Sequence, residues 1–214
     1  VKRFPVSLTA LSLVFVFALA LPARAQTPPN EPSDFTTRFV AYGSQTTILE
    51  LVSGNPKIQW LPGFVMGNLF DDFTNNRVRI DILDLHGTAV QSDYLFYDKK
   101  RQYTWNYARG SCQQTALTSL LHPFFNLGAG PEKLANDPNS PQLGLSTWRY
   151  LPPSGVAWDP PRIDLTVAED APQTPIAIAW YAPFVPSPAV VTFVTFNSGA
   201  PDASLFNLPA GCAP

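Results

Sequence analysis

The sequence predicts a mainly β, antiparallel domain with one short helix, and three observations carry that prediction. The chain has 23 prolines among 214 residues, and proline breaks helix interiors because it lacks an amide hydrogen and clashes with the preceding turn. Arg77-Val78-Arg79-Ile80-Asp81-Ile82 alternates charged and β-branched residues with period two, the pattern of a half-buried strand. Only 14% of residues are charged against 45% apolar, so the domain must either bury much of its apolar content or expose some of it for a purpose.

Residues 1–25 read as a cleavable secretory signal. Lys2 and Arg3 form a positive start, an apolar run extends from Val6 to Leu21, and Ala23-Arg24-Ala25 offers small residues for cleavage. A retained anchor is the alternative, but the run is short of the ~20 residues that cross a bilayer. No later run is long and apolar enough to span a membrane. Residues 26–34 form a polar, proline-bearing leader expected to be extended and flexible, and 35–214 reads as one domain.

Along that domain, Phe35–Tyr42 and Thr46–Val52 are β-prone, and Gly43-Ser44 and Gly54-Asn55-Pro56 supply turns. Trp60–Leu69 is apolar but interrupted by Pro62, Gly63 and Gly67, which predicts a bent or edge strand. Asn75-Asn76 suits the hairpin turn before Arg77. Tyr94–Tyr97, the polar turn Asp98–Arg101 and Tyr103–Tyr107 form a second hairpin, with Tyr103, Trp105 and Tyr107 expected on one face. Cys112–Phe125 has helical character ended by Pro123, and Phe124–Pro153 reads as a long loop rich in Gly, Pro and Asn. Strand signals return at Arg162–Val167, Ile176–Tyr181 and Val190–Phe196. Residues 199–214 show no periodicity.

Charge narrows the partners. Beyond residue 25 there are 11 bases against 16 acids, a net of −5. Such a surface gains nothing from the counterion release that drives nucleic-acid binding, and it lacks the polybasic cluster that grips anionic membranes. Cys112 and Cys212 are the two cysteines. In an oxidising compartment they read as a disulfide rather than two free thiols. Closing a loop of about 100 residues has a chain-entropy ceiling of ~4.7 kcal/mol.

Catalytic motifs are absent: there is no GxSxG, HExxH or Walker sequence, and His86 and His122 lie away from any nucleophile motif. Asp71, Asp72, Asp81 and Asp84 could in principle serve glycoside hydrolysis or calcium. Asp81 and Asp84 would face opposite sides of one strand, Asp71 and Asp72 look like turn residues, and the spacing is not that of an EF-hand. They read mainly as solvated surface acids. The aromatics are either core or the lining of a pocket for an apolar ligand; alternation alone does not separate the two.

Several segments in order resemble the ependymin-related family of secreted proteins. Phe70-Asp71 followed by Asn75-Asn76-Arg77-Val78-Arg79-Ile80 is similar to its Tyr/Phe-Asp…Arg-Val-Arg-Val strand. Tyr94–Tyr97, Asp98–Arg101, Tyr103–Tyr107, Cys112 and Gln114-Thr115-Ala116-Leu117 follow in the family's order. Residues 199–212, GAPDASLFNLPAGC, match its C-terminal Gly-x-Pro-Asp-x-Ser-x-Phe-x-x-Pro-x-x-Cys pattern. These segments bracket Phe70 to Cys212, with a looser match between them.

The resemblance implies two stacked, curved antiparallel sheets, a half-barrel or sandwich enclosing an apolar cavity, similar to bacterial periplasmic lipoprotein carriers. It also implies secretion or a lysosomal destination, lipid binding, homodimers in some members, calcium in some, and pairing of the two matched cysteines. This chain departs from the family in lacking the further cysteines of many animal members and any Asn-x-Ser/Thr sequon. The family offers no catalytic residues to carry over.

The expected function is therefore non-enzymatic binding of a lipid or other hydrophobic ligand, with Phe96, Tyr103, Trp105, Tyr107 and Trp180 contributing to the cavity. No cofactor is expected, calcium being the one candidate. Two alternatives stand beside it: an extracellular adhesion or signalling protein without a ligand, and a secreted hydrolase using Asp71, Asp81 or Asp84.

Overall fold

The computed structural model describes residues 28–30, 32–42, 64–118, 120–121, 124–125, 127, 129–134, 144–151, 162–169, 173–181 and 188–212. The signal segment, the Thr46–Val52 strand, Trp60 and His122 lie outside the described residues.

Eleven strands form a single antiparallel sheet: β1 Asp34–Tyr42, β2 Phe64–Asp72, β3 Arg77–Leu83, β4 Ala89–Phe96, β5 Arg101–Asn106, β6 Ser111–Ala116, β7 Ala129–Lys133, β8 Leu145–Leu151, β9 Arg162–Ala168, β10 Pro175–Tyr181 and β11 Ala189–Ser198. The order across the sheet is β6-β5-β4-β3-β2-β1-β11-β10-β9-β8-β7. The mainly β, antiparallel expectation holds. The two halves are one continuous sheet, not closed into a barrel, because β1 pairs with β2 on one side and with β11 on the other. Hairpin succession explains this: each half is a meander, and the first and last strands meet at the middle.

Local chemistry accounts for the elements. The β2–β3 turn is a 3-10 turn at Phe73–Asn75 closed by Asn76 at φ 54°, a left-handed conformation that asparagine tolerates. β2 is a central strand rather than an edge one. Its Gly67 lies opposite Phe39, and the Phe39 ring fills the space that a Cβ at Gly67 would take. The helix expected over 112–125 is replaced at its start by β6, whose residues pair with β5 from Arg101↔Ala116 to Asn106↔Ser111. Helical structure among the described residues consists of short 3-10 turns. The stretch expected to be a loop over 124–153 contains β7 and β8.

Strands β6 and β7 are the two sheet edges, so the connection leaving β6 must run from one side of the sheet to the other. Leu117, Phe124 and Leu127 of that connection are buried in the main core, together with Phe35, Phe39, Leu69, Ile80, Leu95, Trp148, Leu165, Ile178 and Trp180. We call this the inner face. The opposite, outer face carries a smaller cluster of Tyr94, Phe96, Tyr103, Phe206 and Cys212, with Phe70, Trp105, Leu205 and Leu208 against it. The C-terminal segment from Gly199 lies over that cluster. It is built from two 3-10 turns, and the Asp202 carboxylate accepts from the Ser204 amide at 2.8 Å to start the first.

Candidate functional site

The expected ligand residues fall on both faces of the sheet. Trp180, opposite Ile163 and Ala189, is buried in the inner core. Phe96, Tyr103 and Trp105 come together on the outer face, the first two with rings 6.1 Å apart and nearly perpendicular. The C-terminal segment covers them. Tyr107 falls just beyond β5 and is 43% exposed, its hydroxyl 3.1 Å from the Ser92 hydroxyl. The five residues thus do not line one common space.

The outer face is held shut by identifiable bonds. Cys112 and Cys212 form a disulfide with Cα atoms 5.1 Å apart. The Arg79 guanidinium donates to the Leu205 carbonyl at 2.7 Å and, through its other nitrogens, to both Asp81 oxygens at 2.8 and 3.0 Å. Arg77 stacks over the Phe206 ring at 4.2 Å.

The inner face carries a different aromatic group, which sequence reasoning missed. Phe35 stacks on Phe196 with centroids 5.1 Å apart and packs edge-on against Phe124 at 5.6 Å. Phe193 meets Phe196 at 5.9 Å and Phe124 at 6.1 Å, and Phe125 contacts Phe35, Phe193 and Phe196. A register shift in β1–β11 between Arg38 and Phe39 puts Phe193 opposite Phe39 and Phe196 opposite Thr37, which brings both rings to the inner face. A bulge of this kind re-aims side chains and leaves no mark on a simple alternation count. Beside the cluster, Phe196 also lines a half-open cleft of about 460 Å³ with Pro32, Pro175 and the polar Asn30, Gln173, Thr174, Asn197 and Ser198.

The acids are not the solvated surface group expected. Asp71 and Asp72 are strand residues at 0% exposure, and Asp81 is buried too. Asp72 accepts from Arg77 at 2.6 Å and Asn75 at 2.8 Å, and Asp84 caps its turn through the His86 and Thr88 amides. Asp71 differs: both of its oxygens are buried without a hydrogen-bond partner among the described residues. Burial, with the charges of Asp34 and Asp72, pushes its carboxyl up to about 8. Strand parity puts Asp71 on the inner face and Asp81 on the outer, so these carboxylates form no catalytic pair. Among the described residues no three His, Cys, Asp or Glu side chains gather to hold a metal.

These features define an open, all-antiparallel β protein with a disulfide-anchored C-terminal segment. Among solved structures the chain is similar to an uncharacterized conserved protein from Thermus thermophilus, with TM-score 0.49 and 8% identity over 83% of this chain and 86% of that one. No family model matches the chain, and no curated protein matches it.

Proposed function

We propose that the protein is a secreted, non-enzymatic carrier that holds a lipid or another hydrophobic ligand against the inner face of its sheet. The observation that carries this reading is the phenylalanine cluster of Phe35, Phe124, Phe125, Phe193 and Phe196 beside the cleft that Phe196 lines. The cleft volume of about 460 Å³ is within the range of small-molecule sites, about 300–1,000 Å³. Taking ten methylenes of an acyl chain out of water contributes roughly 8 kcal/mol at ~0.8 per CH₂, which is micromolar affinity before ordering costs.

Export is supported by the signal-like residues 1–25 and by the disulfide, a bond that persists in oxidising compartments. The destination is extracellular, with the lysosome as the other compartment suggested by the ependymin-related resemblance. A homodimer belongs to the same reading. Trp180 is the expected ligand residue on the ligand-bearing face; Phe96, Tyr103 and Trp105 would be reached only if the C-terminal segment lifted.

Titration with fluorescent long-chain lipids, one with a charged and one with an uncharged head, tests the carrier. Saturable, micromolar binding that Phe196→Asp weakens at least tenfold is the expected result, and no saturable binding ends the proposal. The adhesion or signalling alternative is favoured by one observation: β6 is an edge strand, and every residue in it except Cys112 is exposed. Such an edge can pair with another chain.

A further inference from the structure

Five aspartates are buried among the described residues: Asp71, Asp72, Asp81, Asp93 and Asp164. Four have partners. Asp72 has Arg77 and Asn75, Asp81 has Arg79 and Ser92, Asp93 has Gln91 and Thr104, and Asp164 has Arg149 and Arg162. Asp71 alone has none among the described residues, and the nearby Tyr97 hydroxyl is likewise buried without a partner. Burial, and after it the Asp71 charge, push the Tyr97 phenol up.

Buried polar groups in folded proteins nearly always find a partner, so a pair left without one calls for an explanation. Their place in the sheet offers one. Asp71 lies directly opposite Phe35 across the β1–β2 ladder, Phe35 stacks on Phe196, and Phe196 lines the cleft. Phe196, Phe35 and Asp71 therefore follow one another along the inner face, with Phe196 also bordering the cleft.

We propose that Asp71 and Tyr97 are the polar end of the ligand site, hydrogen-bonding the uncharged, oxygen-bearing head of a long-chain lipid whose apolar chain lies along the phenylalanine cluster. This rests on the carrier reading above and names the ligand class for it. The charged groups acting on Asp71 are Asp34 and Asp72, both negative. Asp34 is already engaged by the Thr74 amide and hydroxyl, and Asp72 by Arg77. With no cation among the described groups acting on Asp71, an anionic head gains nothing, and a carboxyl held neutral can donate to a hydroxyl or ester oxygen as well as accept. A site built to hydrogen-bond such oxygens discriminates strongly against ligands that lack them.

The test uses the purified full chain titrated separately with monoolein, oleate, oleylamine and a hydrocarbon probe lacking any head group. Monoolein is expected to bind tightest, and Asp71→Leu and Tyr97→Phe each to weaken it at least tenfold. Asp71→Asn, which keeps a donor and an acceptor, should recover most of the lost affinity. Thermal melts establish that each variant is folded; Tyr97→Phe, which removes a single oxygen, decides the matter if Asp71→Leu does not fold. Unchanged monoolein affinity in Tyr97→Phe and in folded Asp71 variants overturns the anchor while the carrier stands. A preference for oleylamine or oleate overturns the uncharged head. Failure of wild-type protein to take up any of the four ligands overturns the carrier, and the anchor with it.

Discussion

Arg79 of β3 donates a 2.7 Å hydrogen bond to the carbonyl of Leu205, 126 residues away in sequence, while its remaining nitrogens grip Asp81. One guanidinium thus ties the sheet to the C-terminal segment, between the Phe70 and Tyr94 rings at 5.5 and 5.0 Å. A lysine has the charge but not the planar fork that makes three directed bonds at once.

Arg79→Met should therefore destabilise strongly, because it leaves Asp81 buried with its charge uncompensated. Removing one partner of a buried ion pair costs about 3–5 kcal/mol. Urea denaturation would measure it, and Arg79→Lys should recover only part of the loss. A change below about 1 kcal/mol in Arg79→Met, the range of surface pairs, would contradict the role.

Replacing Cys112 and Cys212 together by serine removes a cross-link over a sequence separation of 100. The expected loss is about 2–5 kcal/mol, or roughly 10 °C in Tm for a domain of this size. The emission of Trp105 should also shift to the red, because its ring packs on Gly211 next to the bridge.

Two glycines are predicted to differ in their tolerance of alanine. A Cβ at Gly67 would lie 2.5 Å from the Phe39 ring and against the Asp81 backbone carbonyl, neither of which has room to retreat in a fully paired sheet. A Cβ at Gly211 would meet Trp105 at 2.7 Å, and that partly exposed ring can shift. Overpacking of a well-filled core costs typically 1–3 kcal/mol. Gly67→Ala should reach or exceed the top of that range and Gly211→Ala stay near its bottom, both read from denaturant midpoints.

Asp71 fixes the sign of one pH dependence. Its carboxyl is raised from 3.8 to about 8, by burial first and then by Asp34 and Asp72. From pH 3.8 up to about 8 the folded chain keeps a proton that the unfolded chain has released, so this group's contribution makes stability fall as pH rises through the window and level off above it. At about 1.4 kcal/mol per unit, the ceiling is on the order of 6 kcal/mol. Asp71→Asn should remove that slope, as urea midpoints at acidic and mildly alkaline pH would show. Parallel wild-type and variant curves would contradict the buried, partnerless carboxyl.

Much of the fold can be read from residue order, and the parts that cannot have physical reasons. Arg77–Ile82 announces β3 because its two faces differ in polarity, and Asn76 marks its turn. By contrast, β6 is Ser-Cys-Gln-Gln-Thr-Ala, with no apolar face to alternate; pairing with β5 decides its conformation. Strands β7 and β8 lie among the Gly, Pro and Asn residues of 124–153, whose turn signals outweigh the short apolar runs. Alternation groups Tyr103 with Trp105 correctly but does not say that residues 199–212 would cover them. The acidic pair Asp71-Asp72 resembles a turn in isolation, and only the central position of β2 buries it. The inner phenylalanine group depends on a bulge and on a connection between opposite sheet edges, neither of which has a local sequence signature.

The most direct test of the proposed carrier is native mass spectrometry of the full chain, purified without detergent. A reproducible adduct with the mass of a lipid, lost in Phe196→Asp, is the predicted result. A bare chain mass in every preparation, with no adduct after incubation with monoolein or oleate, would contradict it.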